Sequence, residues 1–249
     1  MTSRSLLRVL SGALFLCALL PLPAAAEDAT AGSRAAIEQI IHDYLLQHPE
    51  VVIEALQAAK DKEEQQSAAR ARQALTERRA ELVDDPTAPI GGNPHGDVTL
   101  VEFFDYRCPY CKEVEPSLEA LIREDGRIRV VYKEFPVLGK PSVFASRMAL
   151  AARLQGRYAA FHTAMMAARG QIDDDVVLKV AAAAGVDVEK AKADMAKPEI
   201  SQIIKRNYDL AEALGIQGTP AFVIGGEMIP GAIDIATLRE KIAAARKAG

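Results

Sequence analysis

The sequence predicts an α/β domain whose small sheet is ordered βαβ and then ββα, split by a block of helices and preceded by a helical stalk. Three observations predict it. Residues 98–105 and 128–133 are rich in β-branched and aromatic side chains, with a helix-forming stretch between them. Helix-length segments follow at 143–154, 158–168, 174–184, 188–196 and 199–214, punctuated by Gly156, Gly170, Gly185 and Pro198. Strand signals then return in Ala221-Phe222-Val223-Ile224 and Met228-Ile229-Pro230, around a Gly225-Gly226 pair suited to a hairpin turn, and a closing helix spans 235–245.

Taken in order, the chain opens with Arg4 and Arg8, an apolar run over residues 9–20, a Pro21-Leu22-Pro23 break and Ala24-Ala25-Ala26, the layout of a secretory signal over residues 1–26. Leu16 precedes Cys17 where a lipoprotein signal carries a small residue, so lipidation is not expected. No later run has the apolar length to cross a bilayer, and the mature chain is expected to be soluble. Lys and Arg total 30 against 34 Asp and Glu, a formal charge of −4, and removing Arg4 and Arg8 makes the chain two charges more acidic. That balance argues against a nucleic-acid partner.

Residues 27–83 read as a helical stalk. Ile37, Ile40, Ile41, Tyr44 and Leu45 recur at helical spacing, Pro49 opens a second helix after His48, and Val52, Ile53, Leu56 and Ala59 continue the stripe. From Lys60 to Glu81 the stripe fades into charged helix formers. Two readings stand: a solvated stalk, or an apolar patch that assembles copies of the chain through residues 34–83, since a helix pair alone cannot cover it. Residues 84–94, crowded with Asp, Pro, Gly and Asn, read as a linker, and 95–249 as the α/β domain, with its helical insertion at about 139–214.

Cys108-Pro109-Tyr110-Cys111 stands where the first strand ends and a helix begins, and these are the only cysteines beyond the signal. A thiol in a first helical turn faces unpaired N–H groups and the positive end of the macrodipole, which favour thiolate. As a staple, C-x-x-C closes too small a loop to remove much chain entropy, and disulfide scaffolds are shorter and richer in cysteine. The pair therefore reads as a reaction centre. Residues three apart share a helix face, and Pro109 suits the first turn. His42, His48, His95 and His162 lack metal-ligand spacing and are expected at the surface or at caps, so no metal site is expected from them. Two thiolates alone suit Cu(I) or Zn(II).

With Glu102-Phe103-Phe104-Asp105-Tyr106-Arg107 leading into the dithiol, a helical insertion, and Gly218-Thr219-Pro220-Ala221-Phe222 before a hairpin, residues 93–247 resemble the exported thioredoxin-fold thiol-disulfide oxidoreductases of the DsbA superfamily. The N-terminal helices resemble the stalk of its trimeric ScsC-like branch. The resemblance implies that Cys108 is the exposed nucleophile and Cys111 the buried resolving thiol. It implies a cis Pro220 holding Thr219 against the dithiol, where a substrate strand pairs, with Pro109 and Tyr110 beside it; a trans proline at a strand entry is the alternative. Glu102, six residues before Cys108, matches a buried acid that exchanges a proton with Cys111, against the alternative of a carboxylate in water. Lys133 is either its partner or solvated, and Phe104 and Tyr106 read as core and rim. Tyr110 departs from the Pro-His pair of the strongest oxidants, implying a less acidic Cys108 and a less oxidising couple. The implied activity is that of a periplasmic disulfide oxidase or isomerase acting on exported cysteine-containing proteins, without a bound cofactor, served by a membrane reductase or quinone-linked oxidase. The alternative is Cu(I) binding in copper tolerance through the same two sulfurs.

Overall fold

A computed structural model describes residues 25–248, so the signal expected over residues 1–26 lies outside the described residues save for Ala25 and Ala26. Two units divide between Asp61 and Lys62. In the first, α1 (Ala25–Gln47) ends two residues before Pro49, which opens α2 (Pro49–Glu77) as its spacing predicts. The His48 N–H donates to the Tyr44 carbonyl at 2.8 Å, and the two rings lie 4.5 Å apart. Ile37, Ile40, Ile41, Tyr44, Leu46, Val52, Ile53 and Leu56 are all exposed, Ile40 by 68%.

The second unit is built on a five-stranded sheet in the order β1-β3-β2-β4-β5, formed by β1 (Ile90–Gly92), β2 (Val98–Phe104), β3 (Ile128–Glu134), β4 (Ala221–Ile224) and β5 (Glu227–Pro230). β2 and β3 run parallel over seven residue pairs, joined through α4 (Pro109–Asp125), and every other pairing is antiparallel. This is the expected βαβ and ββα frame. The insertion supplies α5 (Lys140–Arg153), α6 (Tyr158–Ala167), α7 (Asp174–Ala183), α8 (Val188–Met195) and α9 (Pro198–Ala213), each within a few residues of its expected bounds, and α10 (Ile235–Ala248) closes the chain.

Strand alternation sorts the core into two faces. Leu100 and Phe104 of β2, Ile128, Val130 and Tyr132 of β3, and Phe222 and Ile224 of β4 pack with Cys111, Leu118 and Leu121 of α4. Val101, Phe103, Val131, Ala221 and Val223 pack on the other face with Leu210 and Leu214. Glu102 has the parity of Leu100 and Phe104, so the fold sends its carboxyl to the face that α4 covers.

Two expectations need correction. The segment read as linker contains β1, which pairs with β3 at Ile90–Val131, Gly91–Val130 and Gly92–Arg129. Its glycines are there for close approach: a Cβ on Gly91 would meet the Tyr132 ring at 2.7 Å, and one on Gly92, at φ +61°, would meet the Ile128 carbonyl at 2.4 Å. Nor is the end of the stalk solvated throughout. Ala74 near the end of α2 and Leu82 of α3 (Arg79–Val83) are buried in the second core face, where small size and one leucine suffice.

Lys133 is the third correction. It pairs in register with Phe103, not Glu102, and so points to the opposite face. There, 1% exposed, its ammonium donates to the Glu81 carbonyl at 2.7 Å and to Asp85 Oδ2 at 2.9 Å, tying the segment after α3 to the sheet. Removing one partner of a buried pair leaves the other charge stranded, at a cost of about 3–5 kcal/mol. Lys133→Ala should therefore lower the urea-unfolding free energy by about 3 kcal/mol, and a loss below about 1 kcal/mol would mean that the pair behaves as a surface one.

Candidate active site

The turn between β2 and α4 is shaped by Asp105. Its buried carboxylate accepts from the Arg107 N–H at 2.7 Å and the Leu138 N–H at 2.9 Å, while its carbonyl accepts from the Cys108 N–H at 3.0 Å. Cys108 thereby becomes the N-cap residue of α4 in extended conformation (φ −70°, ψ 118°), with Pro109 at the first helical position. The Cys108 carbonyl accepts from the Lys112 N–H at 3.2 Å, closing the first turn. Across from it, the Thr219–Pro220 peptide is cis, as expected, and the Cys108 thiol donates to the Thr219 carbonyl at 3.2 Å. The fold thus brings Cys108, Cys111, Pro109, Tyr110, Thr219 and Pro220 to one end of the β2–β4 pair, with Glu102 behind them on β2.

Both cysteines are free thiols. Cys111 is fully buried and Cys108 is 4% exposed, so the nucleophile expected at the surface is almost covered, held against the Thr219 backbone. Tyr110, 59% exposed, and Pro109 form the open rim.

The two sulfurs differ in their hold on a proton. Cys108 is drawn down from 9.0 to about 6, first by a hydrogen bond from the Cys111 thiol, against the opposing effect of burial, and then by the Thr219 side chain and the N–H groups of Cys111 and Tyr110. Cys111 is pushed far up by that same bond, by burial, and by the nearby charges of Glu102 and Cys108. The helix-terminal N–H groups anticipated from the sequence do contribute, yet the larger effect is the neighbouring thiol. A value of about 6 is less acidic than the roughly 3.5 of DsbA.

Glu102 is buried, its Oε2 has no hydrogen-bond partner among the described residues, and its pKa is raised well above the carboxylate range by burial and by repulsion from Glu115 and Glu134. The alternative of a carboxylate in water does not hold. The lysine once open as its partner lies on the other face, so neutralisation comes from protonation.

Sequence reading missed a buried polar network beside it. Tyr106 and Tyr158 hydroxyls donate to Glu134 Oε1 at 3.1 and 2.9 Å, and the Tyr106 hydroxyl also meets His162 Nδ1 at 3.1 Å. His162 Nε2 lies 3.2 Å from Glu115 Oε1. His162, expected at the surface or a cap, and Tyr106, expected at a rim, are both buried. Burial raises Glu134 to about 8. Glu115 was detectable, because it stands four residues after Cys111 on the same helix face. Glu134 and His162 were not, because only the packing of α5 and α6 over the sheet covers them.

Beside the dithiol, Lys112 Nζ donates to the carbonyls of Met165, Met166 (3.3 Å) and Ala168 (3.0 Å) at the end of α6. Among the described residues no group of three or more His, Cys, Asp or Glu side chains is arranged to hold a metal ion.

Residues 99–243 match the family model described as DSBA-like thioredoxin domain, and residues 34–66 match that described as Copper resistance protein ScsC N-terminal domain. A thioredoxin-like oxidoreductase from Silicibacter pomeroyi DSS-3 is 45% identical, with a TM-score of 0.67, over 69% of this chain and 99% of that one. A periplasmic thioredoxin-like protein from Salmonella enterica serovar Typhimurium is 34% identical, with a TM-score of 0.61, over 68% and 95%. The Na(+)/H(+) antiporter NhaA 1 of Salinispora arenicola is 27% identical over 165 residues, 66% of this chain, and the match spans only 25% of that protein. No described helix is long and apolar enough to cross a membrane.

Because the folded Cys108 value lies below the unfolded one, its contribution to the stability of the reduced chain is complete above pH 9 and is lost as pH falls through about 6. Thiolate absorbance of the reduced chain should titrate with a midpoint near pH 6. Cys111→Ala should raise that midpoint by about one unit or more, since it removes the leading cause; an unchanged midpoint would show that the backbone N–H groups suffice.

Proposed function

The chain belongs to the DSBA-like thioredoxin domain family, and from that premise we propose that it is a periplasmic thiol:disulfide oxidoreductase acting on exported proteins through Cys108 and Cys111. The observation that carries this reading is the pair of sulfurs with opposite protonation, the reactive one 3.2 Å from the backbone carbonyl that precedes a cis proline. In the oxidising direction a substrate thiolate attacks Cys108 Sγ of the Cys108–Cys111 disulfide, and Cys111 leaves with the electron pair and takes a proton, for which Glu102 is the nearby donor. A second substrate thiolate then attacks the substrate sulfur of the mixed disulfide and expels Cys108 as a thiolate, so that two electrons pass to the dithiol. Reduction and isomerisation run the same steps from the reduced dithiol.

A leaving thiolate of low pKa favours the reduced dithiol. A Cys108 value near 6 supports a couple less oxidising than that of DsbA. Thr219 and Pro220 form the wall on which a substrate strand is received, its backbone groups supplying sequence-tolerant binding, while Pro109 and Tyr110 contact the segment next to the substrate cysteine. The leader-like N-terminus and the periplasmic relative support export, and a membrane redox partner would return the dithiol to its working state. Cu(I) binding, the second reading, draws on the same sulfurs and on the description of the matched N-terminal family.

Incubated with a reduced exported substrate, oxidised wild-type chain should transfer its disulfide. With a reduced substrate variant that keeps a single cysteine, Cys111→Ala activated as a mixed disulfide at Cys108 should retain the substrate as a covalent adduct released by dithiothreitol, and Cys108→Ala should form none. Absence of any adduct would leave the Cu(I) reading in its place.

The apolar residues exposed on α1 and α2 support assembly of copies through residues 34–83. Ile40→Glu with Ile53→Glu in the full chain should reduce the molar mass measured by light scattering to that of one chain. A wild-type chain already monomeric, or a double variant of unchanged mass, would refute assembly through this stripe.

A further inference from the structure

Alongside the Cys108 end of α4 runs a groove of about 430 Å³ lined by Arg107, Pro109, Lys112, Glu113 and residues 168–172. Arg107 directly precedes the nucleophile, Lys112 directly follows the resolving cysteine, and Arg169 comes from the segment after α6, so three cations from two parts of the chain meet there. Each is held by backbone oxygen alone. Arg107 Nη1 donates to Leu138 O (2.5 Å), Lys112 Nζ to the carbonyls ending α6, and Arg169 Nη1 to Met166 O (2.8 Å) and Ala167 O (3.0 Å). Carbonyls position a cation but do not cancel its charge, and none of the three is in an ion pair among those described. Glu113 is the one acid on the lining. The first helical turn of α4 adds the positive end of its dipole to the same wall.

This setting is unusual for the chain as a whole, in which acids outnumber bases by 34 to 30. General electrostatics would repel an acidic partner, so a local excess of cations bordering the reacting sulfur acts on what lies next to it. Successive Cα atoms are about 3.8 Å apart, so the groove, whose wall begins at Pro109, is within reach of side chains a few residues from a substrate cysteine bound to Cys108.

We propose that this groove selects substrates carrying Asp or Glu within about four residues of the reacting cysteine, with Arg169 as the specificity residue on its open side. The proposal rests on the thiol-exchange reading above and deepens it by naming a substrate class. Complementary charge at a partly exposed groove acts on encounter and on seating, and weakens as salt screens it.

The test uses the oxidised full chain and two reduced dithiol peptides identical except for three Glu or three Lys at positions two to four from the cysteine. Flanking charge alters the peptide thiol itself, so each rate is divided by that peptide's rate with the neutral hydroxyethyl disulfide. The Glu peptide should then react about tenfold faster at low ionic strength, narrowing to about twofold at 1 M salt. Arg169→Glu should erase or invert the ratio, whereas Lys179→Glu, the same charge change on α7, should keep it. Equal normalised rates, or a preference that survives Arg169→Glu, would overturn the groove while leaving thiol exchange standing. Reaction with neither peptide, when hydroxyethyl disulfide oxidises both, would overturn the exchange reading and the groove with it.

Discussion

A single proton, kept on Cys111 and shared toward Cys108, is the interaction on which the site depends. The acidity of one thiol and the inertness of the other are one effect seen from two ends. The bond exists because a helical turn sets the sulfurs on one face, and because β2 ends in a turn that Asp105 holds from two sides. The cis bond at Pro220 then presents the Thr219 carbonyl to the outer sulfur. Sheet, turn and cap therefore all converge on this pair of sulfurs.

Placing acids behind that pair carries a stability cost. Glu102, Glu115 and Glu134 are buried on the face covered by α4, and each keeps one carboxyl oxygen without a hydrogen-bond partner among the described residues. Burying an ionised carboxylate would be far costlier than burying a protonated one. At Glu102 and Glu134 desolvation favours the protonated form, and at Glu102 repulsion from Glu115 and Glu134 adds to it. Lys133, which would have neutralised such an acid had it faced that way, instead secures the other side of the sheet. Local rules of burial are broken behind the dithiol and obeyed a strand-width away.

Most elements were legible because they announce themselves over short distances. The dithiol helix begins at Pro109 and ends at Asp125 before Gly126, whose N–H returns to the Ile122 carbonyl as a helix-ending glycine's should. Apolar periodicity located α5 to α9 to within a few residues, and Gly225-Gly226 marked the hairpin. β1 was hidden because Ile-Gly-Gly has the composition of a loop, and only its partner's Tyr132 and Ile128 explain the glycines. The cover provided by Ala74 was equally silent, since a small residue in a charged helix becomes core only when a sheet face meets it.

Two thiols at a helix start, a proline before a strand and an acid six residues upstream were readable from the sequence, because each is a local pattern with a local cause. Tertiary structure alone decided how those groups are tuned. It chose the face of the sheet to which Glu102 and Lys133 turn, buried His162 with Glu115, and brought Arg169 beside Arg107 and Lys112. The physical reason is that register and helix packing set these distances. A side chain's proton affinity depends on the charges and solvent around it, which are neighbours in space and not in order along the chain.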